Sequence, residues 1–283
     1  MDSVFEEATR LRRAPGGRLQ ADVHEAFLTG GGAFGGWILA VATRALRGAA
    51  EAGMVPKTLN AEFLAAAPSG ASVIIAVSAL RTAAASECHR ARLHLADGTP
   101  VAEATMLLSR PRDDPSFTVR TMPCAPSPVE LQALDRSLFP GTWVASHDMR
   151  HALGAPGADG DGTSRVWTRL LGDDAMDFER LAALTDASIA RSYYRPAPRP
   201  AIATVSISNH YHCTAETLAA IGGQHVLIEA STTIGTHGYF DQDSRIWAPD
   251  GTLLATSRQL VRARYPSRSR SEDADPYSAA GAT

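Results

Sequence analysis

The chain has 283 residues, 45% of them hydrophobic, and a formal net charge of −3, which is enough apolar content for one large core or two smaller ones. Its arginines are scattered through both halves without a basic stripe, so no nucleic-acid partner is expected. Cys88, Cys124 and Cys213 lie far apart and outside any C-x-x-C pattern, which argues against a disulfide framework and a zinc site. The opening residues MDSVFEEATRLRRAPGG carry no apolar signal core, and the longest apolar run, WILAVA at 37–42, falls far short of a membrane span. A cytoplasmic protein with no membrane contact is the expectation.

Residues 28–37 read LTGGGAFGGW, in which Gly30, Gly32 and Gly35 form G-x-G-x-x-G. A dinucleotide loop needs a buried strand before the glycines and an acid-ended strand after them. Here ADVHEAFLT precedes them without a β-branched run, and the residues after the next helix read as antiparallel strands. Glycines at a helix start have two other uses: close packing, or exposure of N–H groups at the positive end of the helix dipole to a ligand. Both readings stand for Gly35 and Gly36.

Residues 34–52 place Phe34, Trp37, Ile38, Val41, Ala42 and Leu46 at i, i+3, i+4 spacing, predicting a buried helix. TLNAEFLAAAP, SVIIAVSALRTA and SECHRARLHLADGTPVAEATMLLSRP follow as runs broken by Pro, Gly and Asp-Gly, the pattern of antiparallel strands. These elements make residues 1–110 a first domain. The proline-rich stretch 111–142 reads as a linker.

Residues 143–265 repeat the plan as a second domain: a strand over 143–153, a loop over 154–163, a helix over 174–192, then further strands. ADGTPVAEATMLL (96–108) and PDGTLLATSRQLV (249–261) share a D-G-T turn at a constant offset of 153 residues, which argues for duplication. The tail 266–283 has almost no apolar content and is expected to be disordered.

Several motifs can be weighed for chemistry. His147 and His151 in SHDMRH have zinc-protease spacing but no third ligand and no room for the required helix, so a surface or strand-edge pair is expected. His210 and His212 at i, i+2 can line a pocket but lack a nearby carboxylate. No G-x-S-x-G elbow or recognisable nucleophilic cysteine is present, so covalent catalysis is not indicated.

Polar residues that interrupt apolar elements are more informative. Asp186 falls inside the second predicted helix, where a buried carboxylate needs partners or a task. Thr204 starts a strand whose even positions, Thr204, Ser206, Ser208, His210 and His212, are all polar, predicting one polar face. Gln259 occupies the position that the first copy fills with Met106, so only the second copy carries an amide there.

A helix wrapped by an antiparallel sheet, present twice, resembles the double hotdog fold. AFGGWILAVATRA, ADGTPVAEATMLLSRP, LTDAS, TVSISNHYH and DGTLLATSRQLVRAR together resemble the bacterial type II acyl-CoA thioesterase family over most of residues 25–264. The resemblance implies an α+β double hotdog with two repeats, each a long helix wrapped by a sheet. It implies a thioester hydrolase of lipid metabolism that acts by direct water attack, with Asp186, Thr204 and Gln259 positioning the water.

Gly35, Gly36, Ser206 and His210 would then lie on the substrate side. The partner would be an acyl-CoA or acyl-carrier thioester, with coenzyme A entering only as part of the substrate and no metal or other cofactor. The chain would act as a monomer or as a homo-oligomer through the hotdog sheets. Where the family usually has Asp two residues after the Thr, this chain has Ser206, and where it commonly has Gln-Glu-Gly, this chain has Gln259-Leu260-Val261. The separation of Asp186 from Thr204 is short for the family, and a register shift of two would make Ser206 the hydroxyl. Two rivals are a hotdog dehydratase or isomerase using His210 or His212 as base, and a non-catalytic acyl-CoA-binding module.

Overall fold

A computed structural model of the chain describes residues 3–157, 160–172, 175–195 and 199–265. The tail predicted to be disordered lies outside the described residues. Short elements that the sequence reading did not anticipate come first: helix α1 (Val4–Ala8) and edge strands β1 (Arg12–Ala14) and β2 (Arg18–Asp22). The glycine-rich stretch then forms a two-stranded hairpin, β3 (Leu28–Thr29) with β4 (Gly32–Ala33). Gly32 has φ +135°, and a Cβ there would lie 2.7 Å from the Ala67 carbonyl oxygen, so this glycine serves a backbone contact.

Helix α2 (Gly35–Ala49) follows, with residues 36–43 and Ala45 and Leu46 all buried. Burial around most of its circumference explains why alanines and large apolar residues share it. Trp37 anchors its start by donating an indole hydrogen bond to the Ala8 carbonyl at 2.8 Å. The helix packs against strands β5 (Val55–Phe63), β6 (Ser72–Ala83), β7 (Ser86–Leu95) and β8 (Pro100–Ser109).

The second half supplies β9 (His147–Leu153), β10 (Ser164–Leu170), α3 (Phe178–Thr185), β11 (Ala201–Tyr211), the short α4 (Ala215–Ile221), and β12 (Val226–Ser231), β13 (Gly235–Thr236), β14 (Tyr239–Trp247) and β15 (Leu253–Arg264). One antiparallel sheet of 13 strands runs in the order β1-β2-β6-β7-β8-β5-β11-β15-β14-β12-β10-β9, with β13 pairing β14 at the side. Read outward from the β5–β11 pair, both halves take their strands in the same sequence.

The two D-G-T turns also match bond for bond. Asp97 Oδ1 accepts from the Thr99 N–H at 2.9 Å, and Asp250 Oδ1 accepts from the Thr252 N–H at 2.9 Å. Gly98 and Gly251 take φ values of +90° and +92°. The offset seen in the sequence is therefore a structural repeat.

The copies differ in their helices. Against the expected helix over 174–192, α3 has eight residues and stops at Thr185; residues 173–174 lie outside the described residues. Thr185, Asp186 and Ser188 have short polar side chains that compete for backbone hydrogen bonds, which favours a helix end over continuation. The chain leaves α3 through a turn at Asp186 and a bend at Ser188 and forms a 3-10 turn at Arg191–Tyr194. The stretch 111–142 is not detached either: Thr142 Oγ1 accepts from the Leu28 N–H at 3.1 Å, and Trp167 Nε1 donates to the Pro126 carbonyl at 2.8 Å.

Two glycines of α2 separate packing from propensity. A Cβ on Gly36 would lie 2.6 Å from the Ala183 carbonyl oxygen and against the Phe34 ring, whereas one on Gly48 meets nothing within 4 Å. Gly36→Ala is expected to lower stability by about 1–3 kcal/mol, and Gly48→Ala to raise it by about 0.5–1 kcal/mol. Denaturant unfolding of the two variants checks the opposite signs.

Candidate active site

Asp186 caps the C-terminus of α3, its N–H bonding to the carbonyls of Ala183 and Leu184. The side chain is 9% exposed and lies against the start of α2. A Cβ on Gly35 would sit 2.5 Å from Asp186 Oδ2, and the Gly36 N–H hydrogen-bonds the carboxyl. Gly35 and Gly36 thus let the helices approach, the first of the two uses read from the sequence, and the Gly36 N–H at the positive end of α2 meets the protein's own Asp186 carboxyl instead of a ligand. The Gly36 N–H is committed to Asp186.

Thr204 and Gln259 reach the same carboxyl from the sheet. Burial pushes the Asp186 carboxyl up to about 7, against the opposing hydrogen bonds of the Gly36 N–H, Gln259 and Thr204. Thr204 Oγ1 lies 3.4 Å from Gln259 Oε1, and Gln259 Nε2 donates to the Thr185 carbonyl at 3.2 Å. Asn209, fully buried on β11, donates from Nδ2 to Thr185 Oγ1 at 2.9 Å. The end of α3 is therefore tied to both β11 and β15 immediately beside Asp186.

A β-bulge decides which hydroxyl takes part. Thr204 pairs with Val261 and Ser206 with Leu260, leaving Val205 as an extra residue. Beyond it, Ile207, Asn209 and Tyr211 face inward while Ser206, Ser208 and His210 alternate outward. Thr204, before the bulge, is on the inner face beside buried Val261 and Gln259. The single polar face predicted from the even positions is therefore split. Ser206 and His210 are not brought to Asp186: Ser206 is paired between Leu260 and Glu62, and His210 is exposed. His212 is also exposed, at 3.2 Å from Thr256 Oγ1.

The other sequence candidates are engaged elsewhere. His147 is fully buried, with Nδ1 2.8 Å from the Trp143 carbonyl oxygen and its ring against Trp143 and Phe34; burial holds it down to about 4. His151 Nε2 lies 2.7 Å from the Tyr194 hydroxyl. Among the described residues no group of three or more His, Cys, Asp or Glu could hold a metal ion. A cavity of about 400 Å³ lies between α1 and the 142–146 turn, lined by Val4, Phe27 and Ala145 among others, without any residue of the Asp186 group.

The chain matches the acyl-CoA thioesterase N-terminal domain over residues 23–109 and the acyl-CoA thioesterase C-terminal domain over residues 122–263. No curated protein sequence matches it. Among solved structures, a conserved protein of unknown function with a hot dog fold from Alicyclobacillus acidocaldarius is 29% identical, covering 94% of this chain and 100% of that one, with a TM-score of 0.86. An acyl-CoA thioesterase II from Mycobacterium marinum is 17% identical over 95% of this chain and 100% of its own, with a TM-score of 0.76. A tesB protein from Mycobacterium avium subsp. paratuberculosis is 19% identical over 92% and 98%, with a TM-score of 0.73.

Fold and domain matches together define a hotdog-fold thioester hydrolase. The chain belongs to the acyl-CoA thioesterase family.

The burial of Asp186 has a thermodynamic consequence. The folded protein keeps this carboxyl protonated up to about pH 7, whereas its ordinary value is 3.8. Its contribution to stability is fully present below that ordinary value, declines as pH rises, and is lost through about pH 7. The full loss corresponds to about 4 kcal/mol at most. Asp186→Asn, which cannot ionise, is expected to be more stable than the unmodified protein at pH 8, with the difference shrinking toward pH 4. Denaturant unfolding of both proteins across this range checks the sign; a variant less stable at pH 8 contradicts it.

Proposed function

We propose that the protein hydrolyses acyl-CoA thioesters to free acid and thiol by direct attack of water, on a double hotdog framework in which each copy's sheet wraps a helix. The two units correspond to residues 1–110 and 143–265, joined by 111–142. The observation that carries the mechanism is the convergence of Thr204 and Gln259 on a buried Asp186 whose carboxyl titrates near neutrality.

In this reading Thr204 and Gln259 hold a water against Asp186. A carboxylate poised near the working pH is a suitable general base, because it is available in ionised form yet still takes a proton readily. Water oxygen attacks the thioester carbonyl carbon as Asp186 removes its proton. The tetrahedral intermediate then collapses with cleavage of the C–S bond, and the proton returns to the departing sulfur. A thiolate is a good leaving group, its thiol titrating near about 8.5, so one carboxyl can serve as base and then acid. Val261, the cross-strand partner of Thr204, forms an apolar cluster with Phe240 and Ala263 on the same face, a surface suited to an acyl chain.

The dehydratase or isomerase alternative loses its proposed base, since His210 and His212 are exposed on the other side of the strand. The working place would be the cytoplasm, in lipid metabolism. Free Cys88, Cys124 and Cys213 fit a reducing compartment. No helix among the described residues is long and apolar enough to cross a membrane.

Thiol release from a panel of acyl-CoAs of graded chain length tests the proposal. Turnover is expected for at least one length, with kcat/KM rising through pH 7 as Asp186 ionises. Asp186→Asn should lower kcat by about 100- to 10,000-fold. Saturable acyl-CoA binding without thiol release at any length would instead identify a binding module.

A further inference from the structure

Arg191 is 2% exposed, and no carboxylate among the described residues acts on it. Its guanidinium is instead surrounded by neutral acceptors: Nη1 donates to Ser164 Oγ at 2.8 Å and to the Ala230 and Gly162 carbonyls at 3.2 and 3.4 Å, and Nη2 donates to the Ile189 carbonyl. The guanidinium also lies over the Tyr194 ring, and two further donors converge on one atom. The Arg191 backbone N–H and Nε both donate to Gln242 Oε1, at 3.2 and 3.3 Å. A buried cation that binds a side-chain amide in this way fixes which end of that amide is oxygen.

Gln242 is 1% exposed and sits on β14 directly opposite Gln259, so the two carboxamides share the inner face; directly opposed Cβ atoms lie about 5 Å apart. With its oxygen turned to Arg191, Gln242 carries its Nε2 donors at the other end of the amide. The chain between Asp186 and Arg191 is held to the same strand by Ser188, whose hydroxyl lies 2.9 Å from that of Ser244. At the start of α2 the Gly36 N–H is directed to Asp186.

We infer that Gln242 is a further substrate-contacting residue, its Nε2 donating a hydrogen bond to the thioester carbonyl oxygen, and that Arg191 is the positioning residue that aims it. This rests on the hydrolytic reading of the Asp186 group. The first copy has His89 where this copy has Gln242, 2.7 Å from Glu87 and directly opposite Met106. The amide pair is therefore confined to the second half.

Gln242→Glu tests the inference, because it keeps an oxygen for Arg191 and the shape of the side chain while replacing the N–H donor by an acceptor. At pH values above the titration of Asp186, kcat is expected to fall about 100- to 1,000-fold, with KM little changed. Gln242→Leu, which adds no charge, should lose kcat to the same degree even where its midpoint falls. Gln242→Glu with undiminished kcat overturns the inference.

Binding of two inert ligands separates this from failure of hydrolysis itself. One is a ketone analogue of acyl-CoA with methylene in place of sulfur; the other is an S-alkyl-CoA with methylene in place of the carbonyl. The unmodified protein should prefer the ketone and Gln242→Glu should not, whether or not thiol is released from any acyl-CoA. Absence of that preference in the unmodified protein, or its survival in the variant, counts against Gln242.

Discussion

The contact between the first turn of α2 and the C-terminal end of α3, with its capping residue Asp186, is the constraint on which the site depends. Two helices can meet this closely only where side chains are missing, and Gly35 and Gly36 provide the gap. The gap is filled by the Asp186 carboxyl and by the backbone at Ala183. Removal from water favours the neutral acid, while the Gly36 N–H and the positive end of α2 favour the anion. Because these effects oppose each other, the carboxyl titrates near neutrality rather than remaining permanently protonated or permanently charged. Packing and proton affinity are therefore properties of the same few atoms.

The far ends of the same two helices are joined by different chemistry. Arg47 Nη1 donates to both oxygens of Glu179 at 2.8 and 2.7 Å, and its guanidinium lies over the Phe178 ring. An acid there is neutralised by a cation, whereas Asp186 has only uncharged partners. The sheet shows the same divergence, since Met106 and His89 of the first copy stand where the second has Gln259 and Gln242. Duplication produced two equivalent frameworks, and the polar substitutions fell in one of them.

Features set by local periodicity were legible in the sequence. The apolar spacing of 34–52 gave α2 to within a few residues, the alternating runs gave β5 to β8, and the repeated D-G-T turns exposed the duplication. Asp186, Thr204 and Gln259 stood out as polar breaks in apolar elements, and the structure places them together. The end of α3 was not legible, because 174–192 keeps helical apolar spacing past the point where Ser188 and Arg191 bind β14. Gln242 and Asn209 gave no signal by composition; each is polar at an inward position whose neighbours on the sheet are separated from it by many residues.

The bulge at Val205 shows why strand patterns mislead at such a site. Alternation along residues 204–212 groups Thr204 with Ser206 and His210, and any reading by strict period two keeps them together. One extra residue reverses the phase, so that Thr204 shares a face with Ile207 and Asn209 while Ser206 turns outward. A strand without the bulge could not carry Thr204 beside Gln259 and also bury Ile207, Asn209 and Tyr211. The irregularity reconciles two demands on one strand: its first residues face the polar group around Asp186, and its later ones complete the core against α3.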